Sequence, residues 1–267
     1  MNPLSQYTDI YTPSLLQPIP RAQQRRAIGI DDATQLPFKG CDVWNAYELS
    51  WLNPNGKPLT AVAEFLVPCN SINIIESKSL KLYLNSFNQT PFDKQVDVVR
   101  TLESDLSVCT RSPVFVNLYS LQQTHSRGFA QIPGENIDGQ DIKVDEYQIN
   151  AELLEADPDR IIKESLHSHL LKSNCPMTGL PDWGSLAIEY VGPAISKPSL
   201  LKYIISYRQH GDFHENCIER IFVDIMAKCQ PEKLSISGFY LRRGGIDINP
   251  FRSNHEDASV NLRLARQ

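Results

Sequence analysis

The sequence predicts an α+β protein made of two tandem modules, each with antiparallel strands and helices on one face. Three observations lead there. Apolar residues alternate in short runs bounded by turn residues, the mark of half-buried strands. Two longer runs place apolar residues at helical spacing. One segment also recurs: SLKLYLNSFNQ (79–89) aligns with SLLKYIISYRQ (199–209) at an offset of 120, with Ser79/Ser199, Leu80/Leu200, Tyr83/Tyr203, Ser86/Ser206 and Gln89/Gln209 identical. A match followed in both halves by a helix and a strand points to a duplicated unit.

In chain order, residues 1–35 carry four prolines and little periodicity, and read as an extended arm. The first module, 36–127, opens with CDVWNAYELSWL and PLTAVAEFLV around the turn Asn53-Pro54-Asn55-Gly56, an antiparallel hairpin. SLKLYLNSF follows, with Leu80, Leu82 and Leu84 alternating as in a strand. PFDKQVDVVRTLESDL reads as a helix with Val96, Val99, Leu102 and Leu106 on one side and a proline at its start. PVFVNLYSL is a strand. A polar, glycine-bearing connection spans 128–145. The second module, 146–267, repeats the order: SLAIEYVG and SLLKYIISYRQ as strands, HENCIERIFVDIMAKCQ as a helix with Ile218, Ile221, Phe222, Ile225 and Cys229 on one side, and KLSISGFYLRRGG as a closing strand. Residues 160–171 have helical periodicity.

Composition narrows the class. Of 267 residues, 41% are hydrophobic and the net charge is −5, ordinary for a globular protein and without the basic face that nucleic acid requires. No apolar run is long enough to span a bilayer. The polar, proline-broken amino terminus lacks a signal-peptide core, and the reading is a cytoplasmic protein. Six scattered cysteines with no C-x-x-C pair argue for free thiols rather than disulfides or a zinc ribbon.

Within SNCPMTGLPDW (173–183), Pro176 biases Cys175 towards an extended conformation, and Thr178, Gly179 and Pro181 make a tight loop. Such a loop can hold a thiol nucleophile beside the carboxylate of Asp182, seven residues on, with Trp183 offering the burial a proton shuttle needs. On spacing alone the plainer reading is a small buried thiol and an Asp that forms a turn. His167 and His169 invite a metal site with Cys175, but on a helix i and i+2 diverge. His214 and Glu215 open a helix, where a carboxylate suits the dipole or could accept two bonds from a planar N–H edge. Glu76, Ser77 and Lys78 read as a charged turn. Arg242-Arg243-Gly244-Gly245 offers either a basic turn or charge-assisted contacts to phosphate. Neither G-x-G-x-x-G nor a Walker A loop is present.

Together, ESKSLKLYLNSFN (76–88), CPMTGLPDWGS (175–185), GDFHENC (211–217), RRGGIDINP (242–250) and the arm PSLLQPIPRAQQR (13–25) closely resemble the NADPH-dependent nitrile reductases that convert 7-cyano-7-deazaguanine to 7-aminomethyl-7-deazaguanine on the way to the tRNA nucleoside queuosine. The resemblance spans nearly the whole chain and is to the two-module branch. It implies tandem tunnelling-fold (T-fold) modules, a homodimer, and sites to which both halves contribute. Each half lacks what the other keeps: FDKQ stands where FHEN would be, and ISKPSLL where Glu-Ser-Lys would be. The resemblance further implies that Cys175 is the nucleophile, forming a covalent thioimide; that Asp182 is the proton donor; and that His214 orients or shields the intermediate. Glu76 and Glu215 then hold the deazaguanine, with His214, and Ser77, Lys78, Arg243 and Gly244 hold NADPH. Two NADPH are used per turnover, no metal is required, and neither nucleic acid nor membrane is a direct partner. Two alternatives stand beside it: a zinc-dependent T-fold GTP cyclohydrolase, which shares the architecture and would use His167, His169 and Cys175, and, as a different class, a non-catalytic purine- or pterin-binding module.

Overall fold

A computed structural model describes residues 7–32, 34–124, 128–258 and 260–267. The first six residues of the expected arm, Ala33, residues 125–127 of the first module and Ser259 of the second lie outside the described residues. The chain forms two compact units, residues 1–23, 43–128 and 242–247 in one and 24–42, 129–241 and 248–267 in the other.

The first unit contains a 3-10 turn at Pro13–Leu15 and strand β1 (Pro18–Pro20), so the expected extended arm is partly structured; helix α1 (Ala22–Arg26) follows. β1 pairs antiparallel with β4 (Asn73–Ile75). Strands β2 (Cys41–Leu52) and β3 (Pro58–Pro68) form the expected hairpin; its turn is closed by Asn53 N–H donating to Lys57 O at 2.9 Å and Gly56 N–H donating to Asn53 O at 2.9 Å. β5 (Phe115–Tyr119) pairs antiparallel with the other side of β3. Between β4 and β5 come helices α2 (Ser77–Asn85) and α3 (Gln95–Thr110), and a short α4 (Leu121–Thr124) follows β5.

Helix α2 corrects the strand expected at SLKLYLNSF. Its buried residues, Leu80, Tyr83, Leu84 and then Phe87, follow the helical i, i+3, i+4, i+7 pattern, while Leu82 is only half-buried. In α3 the buried row is Val98, Leu102, Leu106 and Cys109; Val96, expected inside, is 45% exposed. A row ending at Cys109 needs 98 rather than 96 to stay on one face at 3.6 residues per turn.

The second unit carries the order β10–β9–β8–β7–β6: β6 (Glu135–Asn136), β7 (Ala156–Asn174), β8 (Pro181–Ile195), β9 (Lys233–Tyr240) and β10 (Ile246–Ser253, from Ile248 onward in this unit). β7, β8, β9 and β10 are antiparallel neighbours; the two-residue β6 is parallel to β7. Strand β7 overturns the helical periodicity read at 160–171. Helices α5 (Lys197–Ser206) and α6 (His214–Cys229) sit between β8 and β9, so SLLKYIISYRQ is also a helix, ending in a 3-10 turn at Tyr207–Gln209. The expected face of α6 is confirmed: Ile218, Ile221, Phe222, Ile225 and Cys229 are all buried.

Duplication is visible in bonds as well as in letters. In the first unit Ser79 Oγ donates to Glu76 O at 2.7 Å and Tyr83 OH to Asp105 Oδ2 at 2.6 Å. In the second, Ser199 Oγ donates to Ser196 O at 2.8 Å and Tyr203 OH to Asp224 Oδ2 at 2.7 Å. α3 and α6 both end on a left-handed non-glycine residue, Arg111 (φ 55°) and Gln230 (φ 50°). Each unit is thus a hairpin, two helices and a following strand.

Candidate active site

The β7–β8 hairpin sets the geometry of Cys175 and Asp182. Ser173 pairs with Asp182 and Asn174 with Pro181. The ladder continues one pair further: Cys175 N–H donates to Leu180 O at 2.8 Å, and Gly179 N–H donates back to Cys175 O at 2.8 Å. Gly179 turns the chain at φ +70°. Cys175 therefore stands opposite Leu180, and Asp182, two residues beyond, lies diagonal to Cys175 on the same face of the hairpin. Asn174 and Pro181 form a non-hydrogen-bonded pair, so the proline costs the ladder no bond and the backbone groups of Asn174 point away from β8. Asn174 N–H donates to His210 O at 2.7 Å, and its carbonyl accepts from Asp212 N–H at 3.2 Å. The residue before the thiol is fixed on both sides, with every backbone group accounted for.

Two glycines then let α6 and an aromatic ring come close to that face. Gly184, two residues after Asp182, pairs with Tyr240; a Cβ there would lie 3.3 Å from the Tyr240 ring. A Cβ on Gly238 would lie 2.7 Å from the Ile218 side chain of α6. His214, the first residue of α6, consequently stacks flat on Tyr240, with centroids 3.8 Å apart and planes 8° from parallel. Its Nε2 reaches Asp182 Oδ2 at 3.2 Å. The other ring nitrogen, Nδ1, is buried and without a hydrogen-bond partner among the described residues. Asp212 orders the start of the helix by accepting from Phe213 N–H at 2.8 Å and Asn216 Nδ2 at 2.9 Å.

Cys175 is 9% exposed and Asp182 3%. The cover over Asp182 is not the expected Trp183: as the next residue on the strand, Trp183 points to the other face, where the Arg208 guanidinium lies 5.6 Å from its ring. Glu215 is buried in the first turn of α6, where the helix dipole favours a carboxylate. Two residues on, Cys217 is fully buried, and that burial pushes its thiol far above the ordinary range.

The other expected residues gather in the first unit. Glu76 caps α2, its carboxylate accepting from Lys78 N–H at 3.0 Å and Ser79 N–H at 2.7 Å. Sequence reading assigned it to ligand recognition; the capping role was missed. Ser77 and Lys78 form the first turn. Gly244 (φ +64°) packs against the next turn of the same helix, where a Cβ would lie 2.8 Å from Lys81 Nζ. Arg243 N–H donates to Ile246 O at 2.9 Å, closing the glycine turn, and the Arg242 guanidinium sits 4.8 Å from the Tyr47 ring. Lys81 thus lies against Gly244, while the Glu48 carboxylate lies against Gly245, where a Cβ would come 2.4 Å from it. Lys81 was missed in the sequence, although its place three residues after Lys78 puts both on one helix face.

Among the described residues no three His, Cys, Asp or Glu side chains are grouped to hold a metal ion, so the grouping needed by the zinc-dependent alternative is not formed there. No helix among them is long and apolar enough to cross a membrane.

Comparison with known proteins gives two family matches. Residues 7–118 match the model described as "Nitrile reductase, 7-cyano-7-deazaguanine-reductase N-term", and residues 181–259 match "QueF-like protein". The second match includes Asp182, His214, Glu215, Arg243 and Gly244, and the first includes Glu76, Ser77 and Lys78. Among solved structures, an archaeosine synthase QueF-Like in the apo form is similar at 17% identity and a TM-score of 0.31, over 35% of this chain and 91% of that one.

Proposed function

The chain belongs to the 7-cyano-7-deazaguanine nitrile reductase family, and we propose on that basis that it reduces the nitrile of 7-cyano-7-deazaguanine to 7-aminomethyl-7-deazaguanine with NADPH, in queuosine biosynthesis. The observation that carries this reading is the shared hairpin face of Cys175 and Asp182, with His214 Nε2 3.2 Å from the carboxylate.

Cys175 gives up its thiol proton to Asp182 and adds as thiolate to the nitrile carbon. A C–S bond forms, one C–N π pair moves onto nitrogen, and Asp182 returns the proton there, leaving a thioimide. The protonated C=N carbon is a far better hydride acceptor than the nitrile. NADPH, when bound, supplies that hydride and then a second, so that two NADPH and two protons carry the nitrile to the amine. Between the two reductions the C–S bond breaks and Cys175 leaves as thiolate. The imine released must be kept from water; the burial of Cys175 and Asp182 and the His214–Tyr240 stack favour a closed site.

Glu215 and Glu76 are the proposed acceptors for the N–H edge of the base. Glu76 can serve while capping α2, because each carboxylate oxygen has two lone pairs. Ser77, Lys78, Arg243 and Gly244 are proposed to hold NADPH. What supports this is charge: Lys81 lies against Gly244 and the two arginines precede it, although the Glu48 carboxylate lies against Gly245 and would have to give way to a phosphate. We propose further a cytoplasmic homodimer of two T-fold modules, 36–127 and 146–267, needing no metal and contacting no nucleic acid directly.

The test is stoichiometry. Purified protein with the cyano base should oxidise two NADPH per amine formed. Product without NADPH oxidation, or base binding with no product, would reject the reductase reading.

A further inference from the structure

We propose that the second unit holds a separate oxyanion site, formed by Arg266, His169, His167 and Ser185, that takes the phosphate group of a small metabolite.

The strand conformation of 156–174 reopens the His167–His169 pair. On a strand i and i+2 share a face, and the two rings lie 5.3 Å apart, edge to face. The β7–β8 register slips between Ser168 and Leu171, so two β7 residues, His169 and Leu170, face the single β8 residue Ser185. Such a bulge re-aims a side chain, and here His169 Nδ1 meets Ser185 Oγ at 2.8 Å. Ser185 is one residue from Gly184, so this group lies on the opposite face of β8 from Asp182. It lines a cavity of about 560 Å³ whose apolar wall includes Ile132 and Leu264.

Arg266 supplies the charge. Its guanidinium donates to His169 O at 2.7 Å and contacts Ser185 Oγ at 3.5 Å, both neutral oxygens. Among the described residues no carboxylate comes within ion-pair distance of it. Asp138 is near enough to influence it, but the Asp138 oxygens accept from Ser168 Oγ at 2.6 Å and His169 N–H at 3.0 Å. Burial lowers the pKa of Arg266 from its ordinary value and likewise that of His167, on which His169 acts in the same sense. Arg266 and His169 are exposed at the rim of the cavity and His167 is half-buried, so a guanidinium without an ion-pair partner stands beside two imidazoles where an anion entering from solvent can be met by all three. The tail that carries Arg266 is held in place: Gln267 Nε2 donates to Tyr240 O at 3.0 Å and Asn249 Oδ1 at 2.7 Å. The guanidinium fork and imidazole N–H groups suit phosphate oxygens, and the apolar wall suits the organic part of a phosphate ester.

The experiment titrates inorganic phosphate into the intact protein at constant ionic strength, following the histidine ring protons by NMR, with acetate as a parallel arm. Two histidine resonances, identified by loss of one in His169→Gln, should shift and saturate with phosphate and respond at least tenfold more weakly to acetate. Arg266→Gln should weaken the phosphate response at least tenfold and leave NADPH oxidation with the cyano base unchanged. If that variant does not fold, the same weakening in His169→Gln, read by calorimetry, replaces it. A phosphate response no stronger than that to chloride, equal responses to phosphate and acetate, or a folded variant that titrates as the parent does, would overturn the proposal.

Discussion

His214 Nε2 lies 3.2 Å from Asp182 Oδ2, and the same ring lies flat on Tyr240 at 3.8 Å. The carboxylate is thereby held on its strand and met from the helix, with its orientation towards the Cys175 face fixed by a partner that packing holds still. Proton transfer from a positioned group contributes roughly 10²–10⁴-fold. Asp182→Asn keeps the shape and an acceptor oxygen for His214 but cannot shuttle a proton. Its rate of thioimide formation, followed by stopped-flow absorbance, should fall by about that factor while affinity for the cyano base stays within a few-fold.

Tyr240→Leu removes the platform under His214 without touching Cys175 or Asp182. Misplacing a supporting group can cost up to about 10²-fold. We expect kcat to fall about tenfold or more, and Tyr240→Phe, which keeps the ring, to restore most of it. Equal losses in the two variants would mean the hydroxyl matters rather than the stack.

Gly244→Ala places a methyl group where φ is +64° and Lys81 Nζ would be 2.8 Å away. The end of Lys81 must move aside, and the left-handed backbone is strained. KM for NADPH should rise about tenfold, equivalent to about 1.4 kcal/mol, while thioimide formation without NADPH is unaffected. A slowed adduct with unchanged KM would place Gly244 elsewhere in the chemistry.

Stability of the second unit rests in part on Glu219, which accepts from Arg25 (Nε 2.9 Å, Nη2 2.7 Å) and Arg252 (Nη2 2.8 Å), all three buried; Asp42 Oδ1 lies at ion-pair distance, 2.8 Å, from Arg252 Nη1. Glu219→Gln removes the charge that both guanidinium groups share. Breaking a buried pair in this way costs about 3–5 kcal/mol, which urea unfolding would measure; a loss below about 1 kcal/mol would contradict the assignment.

Burial pushes the Cys109 and Cys229 thiols up to about 11. At pH 8 about one in 10³ is thiolate, so iodoacetamide should leave both unmodified in the native protein, as peptide mass mapping would show. Raised acid pKa values mean that the folded state holds these protons more tightly. Their contribution to stability is full below the ordinary thiol pKa and is lost as pH rises towards 11. Melting temperature should therefore fall over that interval, and less so in Cys109→Ala.

How much of this could be read from the letters depended on which signals were local. The hairpin at Asn53–Gly56, the faces of α6 and the duplicated segment were legible because each is carried by neighbours in sequence. SLKLYLNSF and SLLKYIISYRQ were misread because Leu80, Leu82 and Leu84 alternate as in a strand while Leu80, Tyr83, Leu84 and Phe87 also fit a helix, and the apolar residues of the second segment fit both periods as well. The deciding marks were the caps, Glu76 before α2 and Ser196 before α5, together with Pro198 in the first turn of α5, since a proline there suits a helix and not a central strand. His167 and His169 were set aside on a helical spacing that the long strand β7 does not have. The Asp182–His214 contact left no local mark: it depends on Gly184 and Gly238 admitting a ring and a helix to one sheet face, a tertiary effect of two absent side chains.

The most direct measurement is the mass of the intact protein after incubation with 7-cyano-7-deazaguanine and no NADPH. A gain of one base, mapped to the peptide bearing Cys175 and absent in Cys175→Ala, is the predicted result. An unmodified Cys175 peptide from protein that binds the base and consumes NADPH with it would contradict covalent catalysis.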